Sequence, residues 1–237
     1  MADTTKRRII VSARSIARVL PFASKEEGRY YLNGVSIEPH PAEGAILVAT
    51  DGHRMGVLHD PTAIVPAGLK VILARDTRVV TAVRLAKDTM NLKPWVVIKT
   101  SDGGIGSAAL VYAATADEAT QEEEFPAAGD RQALIDGKFP DWRRVVPKPD
   151  DLGAGGSPTF RSSHLRDFQA AASLKADVPI RVFPNKNAAG PSVIRLSGID
   201  NADFIGVLMP IRVEISEVLP SWLRVDPAPA AARSAAA

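Results

Sequence analysis

The 237-residue chain lacks cysteine, has only four histidines and 5% aromatic residues, and carries no apolar run of membrane-helix length. Without cysteine there are no disulfides and no thiolate metal sites. The histidines (His40, His53, His59, His164) show no ligand spacing such as an i, i+4 pair, so no metal site is expected. A membrane helix needs about 20 apolar residues. Met1 to Lys6 is polar, with no hydrophobic signal region behind it. The expectation is a cytoplasmic protein without membrane contact. An excess of one charge is also lacking: 29 basic against 27 acidic residues leave +2. That balance argues against a bulk polycation but leaves the distribution of charge open.

Signatures of chemistry are missing too. Gly103-Gly104-Ile105-Gly106 and Gly153 to Gly156 do not form a Walker pattern, and Gly137-Lys138 is followed by Phe139 where a phosphate loop has Ser or Thr. No Gly-x-Ser-x-Gly elbow is present. Asp51 and His53, in Ala49-Thr50-Asp51-Gly52-His53-Arg54, read either as a catalytic dyad or metal arm or as a tight hairpin, and the turn chemistry favours the hairpin. No catalytic residue, cofactor or metal is assigned, and an enzyme is poorly supported.

What is present is repetition. A β-rich run, a helix of about a dozen residues and several strands recur three times. In the first unit Arg8 to Val11 leads to Ser12 as N-cap and to Ala13, Ile16, Ala17 and Leu20 at helical spacing, followed by strands at Arg29 to Glu38, Ala45 to Ala49 and Arg54 to His59. In the second, Leu69 to Leu73 precedes a helix over Asp76 to Lys87 with Val79, Val80 and Val83 inward, then strands at Trp95 to Thr100, Ser107 to Ala113 and near Gln132 to Phe139. The third begins at Thr159, with a helix over Ser163 to Leu174 burying Leu165, Phe168 and Ala172, and strands at Ile180 to Pro184, Ser192 to Ser197 and Phe204 to Pro210. Helices on one side of antiparallel sheets, an α+β fold, are predicted. Lys148 to Pro158 reads as a linker or long surface loop, Asp117 to Glu124 as a solvated acidic loop, and the Pro/Ala stretch from Asp226 as a disordered tail.

The helices share a basic face. Arg14 and Arg18 lie on the first, Arg78, Arg84 and Lys87 on the second, and Arg166 and Lys175 on the third. For one helix this is an ordinary solvated face. Three helices biased alike suggest a track for phosphates.

Arg29-Tyr30-Tyr31-Leu32-Asn33-Gly34 and Ala49-Thr50-Asp51-Gly52-His53-Arg54-Met55 resemble the middle domain of the bacterial DNA polymerase III beta subunit, the sliding-clamp family. Asp136 to Pro147 (DGKFPDWRRVVP) is similar to the segment that closes that domain, and Val207-Leu208-Met209-Pro210-Ile211-Arg212 to the family's C-terminal strand. The resemblance implies a non-catalytic, homo-oligomeric ring of β-α-β-β-β units whose helices line a hole around double-stranded DNA. Arg14, Arg18, Arg78, Arg84, Lys87, Arg166 and Lys175 would then face phosphates, which position without reading sequence. Tyr30 and Tyr31 match family positions near DNA; by residue type they read equally as β-strand aromatics. The resemblance further implies a hydrophobic cleft where a DNA polymerase and the clamp loader insert short peptides. Its residues would be Leu32, Thr50, Gly52, His53, Arg54 and Met55, then Pro140, Arg144 and Val145, then Val207, Leu208, Met209, Pro210 and Ile211, with Arg54 and Arg144 at the border.

Residues 1–147 resemble one complete clamp domain, 148–158 a linker, and 159–212 only the second half of the family's last domain, with 213–237 as an extension. Three units stand where a family subunit has six, so a twelve-helix ring needs four copies, a homotetramer. Within the extension, Val218, Leu219, Trp222 and Leu223 read as packing on the chain's own surface, or as an anchor in a neighbour's cleft or a filling for the place of the missing half-domain. The alternative function is a clamp-derived adaptor or decoy that binds clamp-binding peptides without encircling DNA.

Overall fold

The computed structural model describes residues 8–88, 91–100, 106–121, 132–154, 157–172, 178–198 and 201–213. Lys175, Glu122 to Glu124, most of the Gly103 cluster and the extension beyond Val213 lie outside them.

The first unit is β1 (Arg8–Ser12), α1 (Ala13–Val19), β2 (Gly34–Pro39), β3 (Ala45–Thr50) and β4 (Arg54–Asp60). The second is β5 (Val71–Ala74), α2 (Arg78–Leu85), β6 (Lys93–Thr100), β7 (Gly106–Ala113) and a short α3 (Ala116–Thr120). The third is α4 (Ser162–Ala171), β8 (Ile180–Phe183), β9 (Ser192–Leu196) and β10 (Phe204–Leu208). Pro21 cuts α1 short and turns Leu20–Phe22 into a 3-10 helix. Thr77 caps α2, its hydroxyl accepting from the Val80 N–H at 3.2 Å.

The strands form a three-stranded sheet, β1-β6-β7, and a seven-stranded antiparallel sheet, β5-β2-β3-β4-β10-β9-β8. The first two units exchange their opening strands: β1 pairs with β6, and β5 with β2. The third joins through β10, which pairs with β4 so that Gly206 lies opposite Gly56. These glycines admit aromatic rings that a side chain would displace. A Cβ on Gly56 would meet the Phe22 ring at 2.5 Å, and one on Gly206 the Phe168 ring at 2.2 Å. Phe22 and Phe168 lie 4.9 Å apart, centroid to centroid, so one core runs under the whole seam.

Alternation along the strands sorts the two faces. Ile9, Val11, Val96, Ile98, Leu47 and Leu58 point into the core beneath the helices. Ile10, Trp95 and Val97 point the other way, where α3 covers them with Ala116 and Ala119. Ile46, Val48, Met55, Val57 and Val207 form a third cluster on the outer face of the large sheet, packed against Phe139, Trp142 and Val146.

Three expectations need correction. Tyr30 and Tyr31 are not strand residues: Glu27–Leu32 is a 3-10 segment and β2 starts at Gly34. The strand expected near Gln132 is reduced to a bridge between Leu134 and Leu73. Asp117 and Glu118 belong to α3, whose small alanines let it lie on the sheet. In the 148–158 segment, the Gly153 N–H donates to the Pro184 carbonyl and the Lys186 N–H to that of Asp151.

Candidate functional site

The outer face of the β4–β10 seam is shaped by the turn before β4. The Thr50 hydroxyl donates to the Arg54 carbonyl at 2.8 Å and accepts from the Gly52 N–H at 3.0 Å. An Asp51 carboxylate oxygen accepts from the N–H groups of His53 and Arg54 at 2.9 and 3.0 Å. Gly52 takes φ +88°, which disfavours any side chain, and a Cβ there would also meet the Arg29 guanidinium. The Met209 N–H donates to the His53 carbonyl at 2.9 Å, which ties the end of β10 to this turn.

Arg54 faces away from solvent. Its guanidinium pairs with Asp51 at 3.0 Å and with Asp167 of α4 at 2.8 Å, all three side chains under a quarter exposed. Beside it His164 is buried and stacks on His53 with centroids 6.0 Å apart. Burial first, and then the positive charge of Arg54, push the His164 pKa below its ordinary value. The bordering arginine expected from the sequence is therefore also a brace between the first and third units.

A groove of about 280 Å³ opens above this turn. Leu32, Thr50, Gly52, His53, Arg54 and Met55 line it together with Pro140, Val145, Val207 and Met209. Arg144, Leu208, Pro210 and Ile211 do not. Arg144 is exposed outside it, Leu208 is fully buried in the main core, and Ile211 bridges to Thr159. Arg29, Tyr31, Phe139, Asp141 and Trp142 complete the wall and were missed as cleft residues. Phe139, Asp141 and Trp142 lie inside the Asp136 to Pro147 motif, so the signal was present. Tyr31, which the resemblance matches to positions near DNA, stands in the wall of this groove.

The Phe139–Val145 wall is held from behind. Glu38 of β2, buried at 5% exposure, pairs with Arg143 at 2.6 Å and with Lys70 at 2.8 Å. Burial alone pushes the Glu38 carboxyl up, but Lys70 and Arg143 outweigh it and hold it below the ordinary glutamate value. Arg143 also lies 4.2 Å from the Trp142 ring centroid, so the ion pair positions the aromatic wall.

The opposite face carries the helices, where α1 packs between α2 and α4. Arg14, Arg78, Arg84, Lys87 and Arg166 are exposed there. Arg14 forms a surface pair with Asp88 at 2.6 Å. Arg18 is used differently: it donates to the Ala171 carbonyl and to Asn201 Oδ1, both at 2.8 Å, and its guanidinium carbon lies 5.7 Å from the Phe204 ring centroid. Tyr30 is exposed and meets Tyr31 edge to face. Among the described residues no helix is long and apolar enough to cross a membrane.

No protein-family model matches the chain. It is 29% identical over 154 residues to the beta sliding clamp of Caulobacter vibrioides, covering 62% of this chain and 36% of that protein. It is 28% identical over 225 residues to the beta sliding clamp of Escherichia coli K12, covering 91% of this chain and 52% of the relative. Among solved structures, the Bartonella birtlesii DnaN sliding clamp, bound to griselimycin, superposes with a TM-score of 0.59 at 21% identity, over 87% of this chain and 66% of that one. Caulobacter crescentus pol III beta gives 0.58 at 21% identity over the same shares. Where it matches nearly all of its own length, the chain spans about half the length of its curated relatives. By sequence the chain is similar to beta sliding clamps over about half their length, and it carries the α+β DNA clamp fold.

Proposed function

We propose that the chain is the subunit of a sliding clamp, a non-catalytic homo-oligomeric ring that encircles duplex DNA and tethers a DNA polymerase and the clamp loader through short peptides. The observation that carries this reading is the separation of two surfaces across one sheet. An apolar groove bordered by His53, Arg54, Trp142 and Met209 lies on the outer face, and exposed Arg14, Arg78, Arg84, Lys87 and Arg166 lie on the helical face. Pockets of this kind accept apolar peptide anchors, while basic helices favour phosphates without reading sequence. Residues 1–147 act as one clamp domain and 159–212 as half of another, so four copies supply the twelve helices of a ring.

Retention on DNA tests the reading. Loaded protein is expected to stay on closed circles and to leave linear duplex, with affinity falling steeply as salt rises. Combined Glu substitutions at Arg14, Arg78 and Arg84 should abolish retention without changing peptide binding. Met209→Lys should weaken binding of a clamp-binding peptide by tenfold or more and leave retention on circles intact. Peptide binding by a protein that never stays on circles would replace the ring with the adaptor reading.

A further inference from the structure

The seven-stranded sheet is incomplete in a way its own symmetry defines. Gly56 opposite Gly206 marks a local two-fold between β4 and β10, which relates β3 to β9 and β2 to β8. On one side the sheet continues past β2 to β5; on the other, among the described residues, it ends at β8. The consequence shows in burial. Gly34 to Glu38 of β2 are all buried, whereas all four residues of β8 are exposed, including Ile180, Val182 and Phe183 at 36–38%.

The hydrogen bonding shows what that edge offers. The Ser197 N–H donates to the Pro179 carbonyl, so Arg181 and Phe183 turn their peptide groups towards β9, while Ile180 and Val182 turn theirs outward. Among the described residues, Asp151–Gly153 meets this edge beyond β8, bridging at Asn185 through hydrogen bonds at Pro184 and Lys186.

The first two units also show what fills such an edge. Each second strand, β2 or β6, receives the opening strand of the other unit. The third unit has a receiving strand, β8, and an opening segment, Ser157–Arg161, which bridges at Thr159 to Ile211 just as Ile10 of β1 bridges to Ile64. In β1 the other edge goes to β6. In Ser157–Arg161 no strand among the described residues takes it.

We infer that two copies of the chain complete each other's third unit by reciprocal strand exchange, with Ser157–Arg161 of one copy pairing beside β8 of the other about a true two-fold axis. The exchange is isologous, because each copy gives and receives the same strand. It turns two half-domains into one whole domain, and it rests on the multi-subunit reading above while specifying one of its contacts. Pro158 contributes only a carbonyl to the pairing, and Phe160 keeps both peptide groups.

The full chain tests this in solution by light scattering and by cysteine cross-linking, which the cysteine-free sequence makes unambiguous. Val182→Pro removes an N–H that faces away from β9, so the subunit should keep its circular dichroism and its peptide affinity but self-associate at least tenfold more weakly. Thr159→Cys combined with Arg181→Cys or with Phe183→Cys covers the two registers that place Thr159 in a non-hydrogen-bonded pair. One of the two double variants should form disulfide-linked dimers on oxidation, and the single variants should not form them by this route. A monomeric wild-type chain, or an oligomer that Val182→Pro leaves unchanged and neither cysteine pair links, overturns the exchange. So does loss of amide protection at Ile180–Phe183 on deleting residues 213–237, which would make the chain's own extension the occupant. If the exchange fails while retention on circles persists, the clamp reading stands without it; if retention fails while the cross-link forms, only the ring reading falls.

Discussion

The arginines of α1, α2, β4 and α4 fall into two populations that sequence alone does not separate. Arg18 and Arg54 sit at the seam between the first and third units, each spending its guanidinium on partners from both sides or from the far one. Arg14, Arg78, Arg84 and Arg166 stand on the exposed helical face. Arg14 and Arg18 are one helical turn apart, yet Arg14 has a half-exposed surface partner while Arg18 reaches α4 and Asn201. A basic residue is free for phosphates only where no neighbouring unit has claimed it. Because the third unit docks beside α1, half of the pair becomes structural.

The largest effect that would sharpen this division is expected from Arg54→Ala. It leaves two partly buried carboxylates, Asp51 and Asp167, without their shared cation. Breaking such a pair costs about 3 kcal/mol, to be read as a lower denaturant midpoint with an unchanged DNA salt slope. A midpoint equal to that of the parent would remove Arg54 from the seam.

A smaller effect is expected on acidification. His164 is neutral when buried, with its pKa held below the ordinary value, so the unfolded chain binds a proton more readily than the folded one. Its contribution is complete above the unfolded pKa, about 6.5, and is lost as pH falls from there through the lower folded value. Unfolding midpoints recorded from pH 7.5 to 5 should decline over this window, and His164→Phe should flatten that part of the decline. An equal decline in both proteins would assign it elsewhere.

The smallest stability effect belongs to Arg14→Ala. Its pair with Asp88 is exposed on both sides, and such pairs are worth about 0–1 kcal/mol. The proposed role predicts instead a salt slope of DNA binding smaller by about 0.9, the share of one neutralised phosphate. A large drop in stability with an unchanged slope would exchange the two populations.

Much of the fold was legible in the sequence because it rests on local periodicity. Val79, Val80 and Val83 on α2, and Phe168 and Ala172 at the third helix, are buried as their spacing required. The Asp51-Gly52 turn was legible because few residues other than glycine accept its positive φ. Tyr30 and Tyr31 misled because aromatic residues favour strands, whereas this segment bonds its own backbone in 3-10 turns, including Asn33 N–H to the Tyr30 carbonyl. Of the fourteen residues the motifs named for the cleft, ten line this groove and four lie outside its lining. Leu208 shows why: a motif records that an apolar side chain is needed, while strand alternation decides whether it meets the core or the groove.

The sequence by itself determined three repeated units, a basic bias on three helices, a tight turn at Gly52 and the likeness to clamp domains, because period, turn chemistry and motif are properties of neighbours along the chain. Only the tertiary structure decided that β4 and β10 share one sheet, that Arg18 and Arg54 brace the third unit, and that β8 ends the sheet among the described residues. Each of these depends on which distant groups meet. Pairing between strands is made by backbone groups that nearly every residue carries, so the order of strands leaves little mark on residue type.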